Sequence, residues 1–253
     1  MDLGLAGRRA LVTGGSKGIG RAIAETLAAE GCHVALCSRN AGEAEAAAEA
    51  LRATGVEAFG SGVDVGDKEA LTAWVGESAK QLGGLDIVVA NVSALAIGDE
   101  EESWAQQVNV DLMHTVRMVK AALPLLEQSD AGAIVAISSV SGREIDFACG
   151  PYGTVKAALI HYIQGLAHQL AGKNIRANTV SPGNIYFEGG VWNTIKDTNQ
   201  DLYQQALALN PSGRMGTPEE VARATAFLAS PAATYISGTN LVVDGALTRG
   251  VQV

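Results

Sequence analysis

The 253-residue chain predicts a single-domain α/β fold, a doubly wound sheet of about seven parallel strands with helices on both faces. Three observations carry this. Short β-branched runs alternate with longer amphipathic or alanine-rich stretches along the chain, the rhythm of βαβ units. The strand candidates are near-continuous apolar runs, as burial on both faces requires. A glycine-rich turn, TGGSKGIG at 13–20, leads straight from the first strand candidate into the first helix candidate.

In chain order the strand candidates are 8–13, 33–37, 56–60, 85–90, 133–138, 175–180 and 240–244. The helix candidates are 18–30, 41–54, 67–82, 101–127, 152–171 and 217–229. Gly31, Gly55, Gly83 and Gly172 stand where a glycine ends a helix. Thr217-Pro218-Glu219-Glu220 reads as an N-cap, a proline at the first helical position and an acidic first turn. Residues 41–53 are alanine-rich, which suits a helix. The one long irregular stretch is 181–213, and it is expected to serve as a substrate lid over about 184–213. No linker or repeat divides the chain, so 1–253 is read as one catalytic domain.

Composition narrows the function. Apolar residues make up 47%, enough for a large core, and no apolar run approaches the ~18 residues of a membrane span. A net charge of −9 disfavours nucleic acid and anionic membranes as partners. Three cysteines without metal spacing and four scattered histidines predict no metal site. Sparse thiols and the lack of a signal-peptide pattern predict a cytoplasmic protein.

The glycine turn is the first functional signal. Gly14, Gly15, Gly18 and Gly20 permit a tight turn and close approach of a pyrophosphate to a helix N-terminus, with Ser16, Lys17 and Ile19 between them. Its spacing, TGxxxGxG, differs from GxGxxG. The second strand ends in Cys37-Ser38-Arg39-Asn40, with no acid to accept from a ribose 2′-hydroxyl. Arg39 can pair with a 2′-phosphate, Ser38 can donate to it and Lys17 adds charge, so NADP(H) is favoured over NAD(H). The second signal is Tyr152 and Lys156, four apart and so on one helix face. An ammonium beside a phenol favours the phenolate, which makes a tyrosine usable as a general acid or base near neutral pH.

With TGGSKGIG and YGTVK both in place, the chain resembles the short-chain dehydrogenase/reductase family over essentially its whole length, in its 3-oxoacyl-reductase-like branch. The resemblance implies a Rossmann-like fold and a catalytic set of Asn109, Ser139, Tyr152 and Lys156, with Ser139 thirteen residues before Tyr152. It implies that Asp64 and Val65 contact adenine, that Asn91 supports the ribose side, and that Pro182, Gly183 and Ile185 face the nicotinamide. Lys156 would hold the nicotinamide ribose, and Asn109 would position a water that relays protons to it. Two departures stand out. Ala90-Asn91-Val92-Ser93 replaces NNAG, and Phe187 stands where a threonine is usual.

The expected activity is interconversion of a carbonyl and a secondary alcohol. Substrate walls are expected at 93–98, 141–149 and the lid, with Ser93, Leu95, Arg143, Cys149, Phe187 and Trp192 as candidate contacts. Alternatives are a 3-oxoacyl-carrier-protein reductase, a sugar or polyol dehydrogenase, and a non-catalytic NADP(H)-binding redox sensor. The resemblance also implies a homotetramer or homodimer.

Overall fold

The computed structural model describes residues 2–251. Strands β1 (Arg9–Thr13), β2 (His33–Ser38), β3 (Ala58–Gly62), β4 (Ile87–Ala90), β5 (Ala133–Ile137), β6 (Arg176–Pro182) and β7 (Asn240–Val243) form one parallel sheet in the order β3-β2-β1-β4-β5-β6-β7. The helices are α1 (Gly18–Ala29), α2 (Ala41–Arg52), α3 (Lys68–Gln81), α4 (Glu101–Gln107), α5 (His114–Leu126), α6 (Pro151–Leu170), α7 (Val191–Thr198), α8 (Gln200–Ala208) and α9 (Pro218–Ala229). A π-helical segment, Val108–Met113, joins α4 to α5.

Alternation along each strand feeds two cores. Val12, Leu36 and Val89 share one apolar cluster with Ile23 and Leu27 of α1 and Val221 of α9. Leu11, Ala35 and Val88 share the other with Leu71 and Trp74 of α3 and Met118 of α5. Each buried leucine or isoleucine contributes roughly 1.5–3 kcal/mol relative to exposure. The order reverses between β1 and β4, and ligands of such sheets bind outside the carboxyl ends of the strands at that point.

Four expectations are corrected. The third strand lies at 58–62, two residues later than 56–60, and pairs along β2 from Val34 to Ser38. Helix 101–127 is not α-helical throughout, because Val108–Met113 winds as a π segment within it. The stretch 181–213 is not irregular, because it carries α7 and α8, with Asn199 Oδ1 accepting the Leu202 N–H as α8's cap. Gly172 does not end a helix in the left-handed region; Asn174 takes that conformation at φ 56°, while Gly31, Gly55 and Gly83 do behave as expected. No helix among the described residues is long and apolar enough to cross a membrane.

Candidate active site

A cleft of about 490 Å³ opens over the carboxyl ends of the strands. Its floor at one end is the glycine turn. Gly14 has φ +67°, and a Cβ on Gly20 would sit 2.2 Å from the Gly14 carbonyl oxygen, so a side chain there would break the turn. Asn91 holds the turn in place. Its Nδ2 donates to the Thr13 carbonyl at 3.0 Å, and its backbone N–H donates to Thr13 Oγ1 at 3.1 Å. Lys17 precedes α1 in extended conformation without a side-chain cap, and the first turn carries no acid. The first N–H groups of α1 are thus open to an anion.

Ser16, Lys17, Gly18, Ile19, Ser38, Arg39, Asp64 and Val65 also line the cleft. Neither Arg39 nor Lys17 has an ion-pair partner among the described residues. Ser38 Oγ donates to the Asn40 carbonyl, and Asn40 caps α2 through the N–H groups of Gly42 and Glu43. The turn is open to a pyrophosphate and the second strand ends in uncompensated positive charge, so these residues fit a nicotinamide dinucleotide.

At the other end lie Ser139, Tyr152 and Lys156, with Pro182, Gly183 and Ile185. Pro151 starts α6, and Gly153 lets its first turn press against the Ser141 and Ala148 carbonyls, each 2.8 Å from where a Cβ would lie. Tyr152 and Lys156 therefore face the cleft from one helix, with Lys156 Nζ 5.5 Å from the Tyr152 ring centroid. Ser138 Oγ donates to the Lys156 carbonyl at 2.8 Å and ties β5 to α6.

Lys156 is 2% exposed, and its ammonium meets the Ile137 carbonyl at 3.1 Å and Asp111 Oδ1 at 2.9 Å. Burial pushes the Lys156 pKa down. The charges of Asp111 and Tyr152 and the Asp111 hydrogen bond outweigh it, so the group ends above the ordinary lysine value. Asp111 comes from the π segment, and such bulges recur at functional sites. Its Oδ2 accepts the Ala94 N–H at 2.8 Å, while Gln107 Oε1 accepts the Ala96 N–H at 3.0 Å. Between those anchors Leu95 sits at φ +53°, a conformation that costs a leucine roughly 1–2 kcal/mol. Beside Asp111, burial pushes His114 down to about 4, so the ring is neutral near pH 7.

Most expected residues come together, and a few do not. Ser93, Leu95, Phe187 and Trp192 line the cleft; Arg143 and Cys149 do not. Cys149 is exposed. The Asn109 side chain is not in the cleft wall either. Its Nδ2 donates to the Gly66 carbonyl at 3.2 Å and its Oδ1 accepts from Arg117 at 2.8 Å, bracing the turn that carries Asp64. The carboxylate touching Lys156 is Asp111, two residues on. Sequence reasoning missed Asp111 and Gln107; the signal available was an acid set between Val110 and Leu112 in the run VNVDLM. Phe187, at the expected threonine position, lays its ring against Gly18, where a Cβ would come within 2.6 Å of it.

The chain is similar to known proteins over nearly its whole length. A family model described as enoyl-(acyl carrier protein) reductase matches residues 14–248. Isoepoxydon dehydrogenase patN of Penicillium expansum is 37% identical, over 100% of this chain and 99% of that protein. The 3-oxoacyl-[acyl-carrier-protein] reductase FabG of Vibrio harveyi is 34% identical, over 97% and 99%. Among solved structures, a short chain dehydrogenase from Burkholderia cenocepacia J2315 in complex with NADP superposes with a TM-score of 0.86 at 31% identity, covering 96% of this chain and 99% of that one. A 7α-hydroxysteroid dehydrogenase complexed with NADH and 7-oxo glycochenodeoxycholic acid gives 0.89 at 29%, covering 97% and 96%.

Proposed function

The chain belongs to the short-chain dehydrogenase/reductase family and is an oxidoreductase of that family, and from that premise we propose that it interconverts a carbonyl and a secondary alcohol with NADP(H), using Tyr152 as the general acid and base. One observation carries the reading: a single cleft joins an anion-ready glycine turn and Arg39, which has no ion-pair partner among the described residues, at one end to Ser139, Tyr152 and Lys156 at the other.

The nicotinamide, when bound, donates or accepts the hydride. In reduction, Tyr152 gives its phenolic proton to the carbonyl oxygen; in oxidation it takes the alcohol proton back. The Ser139 hydroxyl donates to the same oxygen and stabilises the charge that develops there. Lys156 supplies positive charge beside the phenol oxygen, and Asp111 with the Ile137 carbonyl holds that ammonium at its post. Arg39, Ser38 and Lys17 favour a 2′-phosphate over a free hydroxyl. Residues 184–213 act as the lid, presenting Phe187, Val191 and Trp192 to the cleft. The protein works on small molecules in the cytoplasm, as a homotetramer or homodimer whose size light scattering reads directly.

The test is consumption of NADPH with simple diketones and 3-oxoesters. Turnover supports the enzyme. Tight NADPH binding without turnover of any carbonyl or alcohol replaces it with a redox sensor.

A further inference from the structure

One side of the cleft beside Ser139 carries a carboxylate that the reaction above leaves unused. Asp146 lines the cleft with Ser139 and Ser141. Ser141 Oγ donates to Asp146 Oδ2 at 2.6 Å, and the Ala148 N–H donates to Asp146 Oδ1 at 2.9 Å. Ser139 Oγ accepts the Ser141 N–H at 3.1 Å and donates to Ser141 Oγ at 3.2 Å. An ionised carboxylate only accepts, so the Ser141 hydroxyl proton is committed to Asp146 and Ser141 cannot donate to Ser139. The Ser139 hydroxyl donates to Ser141 Oγ, and a bound substrate oxygen would take that proton in its place. No lysine, arginine or histidine pairs with Asp146 among the described residues. Each of its oxygens keeps a lone pair beyond the bond it already accepts. Much of the remaining wall is apolar, with Leu95, Ile97, Phe147, Val191 and Trp192, while Ser93, Gln106 and Asn184 are its uncharged polar members; Phe147 meets Trp192 edge-on at 5.8 Å.

We propose that Asp146 is a specificity residue that accepts a hydroxyl on the carbon next to the reacting carbonyl, making α-hydroxyketones and the matching vicinal diols the preferred substrate class. This rests on the oxidoreductase reading of the same cleft. A carbonyl oxygen on Ser139 places a neighbouring hydroxyl about one hydrogen-bond length further along the Ser139–Ser141–Asp146 line, within reach of the carboxylate. The same unpaired charge disfavours substrates with an anionic group beside the carbonyl.

The experiment compares kcat/KM with NADPH for 2-hydroxycyclohexanone and cyclohexanone, in the wild type, Asp146→Ala and Asp146→Asn. The ratio is the readout, since any effect passed through Ser141 to Ser139 acts on both ketones alike. The wild type is expected to prefer the hydroxyketone by about tenfold or more, the scale of a hydrogen bond to a charged acceptor. The ratio should fall to about one in Asp146→Ala and to an intermediate value in Asp146→Asn, which keeps a neutral acceptor. A wild-type ratio near one, or a ratio unchanged in whichever variants fold, overturns the assignment while leaving the oxidoreductase intact. Turnover of neither ketone by the wild type, alongside turnover of diketones, also overturns it. Absence of turnover on every carbonyl overturns the parent reading as well.

Discussion

Two carboxylates, Asp86 and Asp111, are each 1% exposed at opposite ends of the sheet, and the chain treats them differently. Asp86, just before β4, accepts from the Arg9 backbone N–H, from Arg9 Nε and Nη2, and from Ser129 Oγ, with Arg8 3.6 Å away. Burial pushes its pKa up, but the Arg9 and Ser129 hydrogen bonds hold it below the usual carboxylate range. Asp111 meets one cation, Lys156, and the Ala94 N–H. Around it the Gln107 Nε2 and His114 Nε2 atoms are buried without a hydrogen-bond partner among the described residues. One end of the sheet saturates its buried charge and serves stability. The other leaves polar capacity unspent next to the ammonium that reaches the cleft.

The largest effect should come from Tyr152→Phe. It removes the transferred proton without deleting a structural bond, so kcat should fall about 10²–10⁴-fold with an unchanged melting temperature. A loss of stability instead would erase the contrast between the two ends. Next is Asp111→Asn, which leaves the Lys156 ammonium buried without its counter-charge. Urea titrations should show about 3–5 kcal/mol lost near neutral pH. The pH dependence should also change sign. In the wild type Lys156 is raised, so its contribution is present below the ordinary lysine pKa and lost as pH rises through the folded value. In the variant burial is opposed by the Tyr152 charge without Asp111, and stability should instead fall as pH falls.

Asp86→Ala should cost about 2–3 kcal/mol, less than a fully enclosed pair because the Arg9 side chain is 30% exposed. Its kinetic constants per folded molecule should not move. Because the folded Asp86 pKa is depressed, its contribution is present above about pH 4 and lost as pH falls through the folded value. Acid titration of Asp86→Asn should lack that portion. The smallest effect belongs to Arg39→Ala, where kcat/KM for NADPH should drop about tenfold and that for NADH should stay level. Equal losses with both would remove the 2′-phosphate role.

How far the sequence speaks depends on whether a signal is local. Strand alternation, the glycine turn and the Tyr152–Lys156 spacing are each set by a handful of neighbours, and all are legible. β3 is an edge strand of sequence AFGSG whose limits come from pairing with β2, and from α2 lying so close that a Cβ on Gly60 would sit 2.3 Å from the Ala44 carbonyl oxygen. Within 101–127 the buried positions Gln107, Asp111, His114 and Thr115 are polar, so composition alone reads them as a solvent-facing stripe and not as a π segment that turns Asp111 inward. In α7 and α8 the apolar residues Val191, Trp192, Ile195, Leu202, Tyr203 and Ala206 do keep helical spacing, but flanking glycines and polar residues mask it. The pairing of Asp111 with Lys156 joins residues 45 positions apart, and only the packed fold brings them together.

The three thiols, spread over core and surface, make the chain its own reporter. Cys32 lies in the apolar cluster on one face of the sheet and Cys37 in that on the other, and burial pushes both up to about 12. Cys149 is exposed. An alkylating reagent should therefore label Cys149 at once, while Cys32 and Cys37 react only as each face of the core opens. Comparing their two labelling rates would show whether the faces come apart together or one before the other.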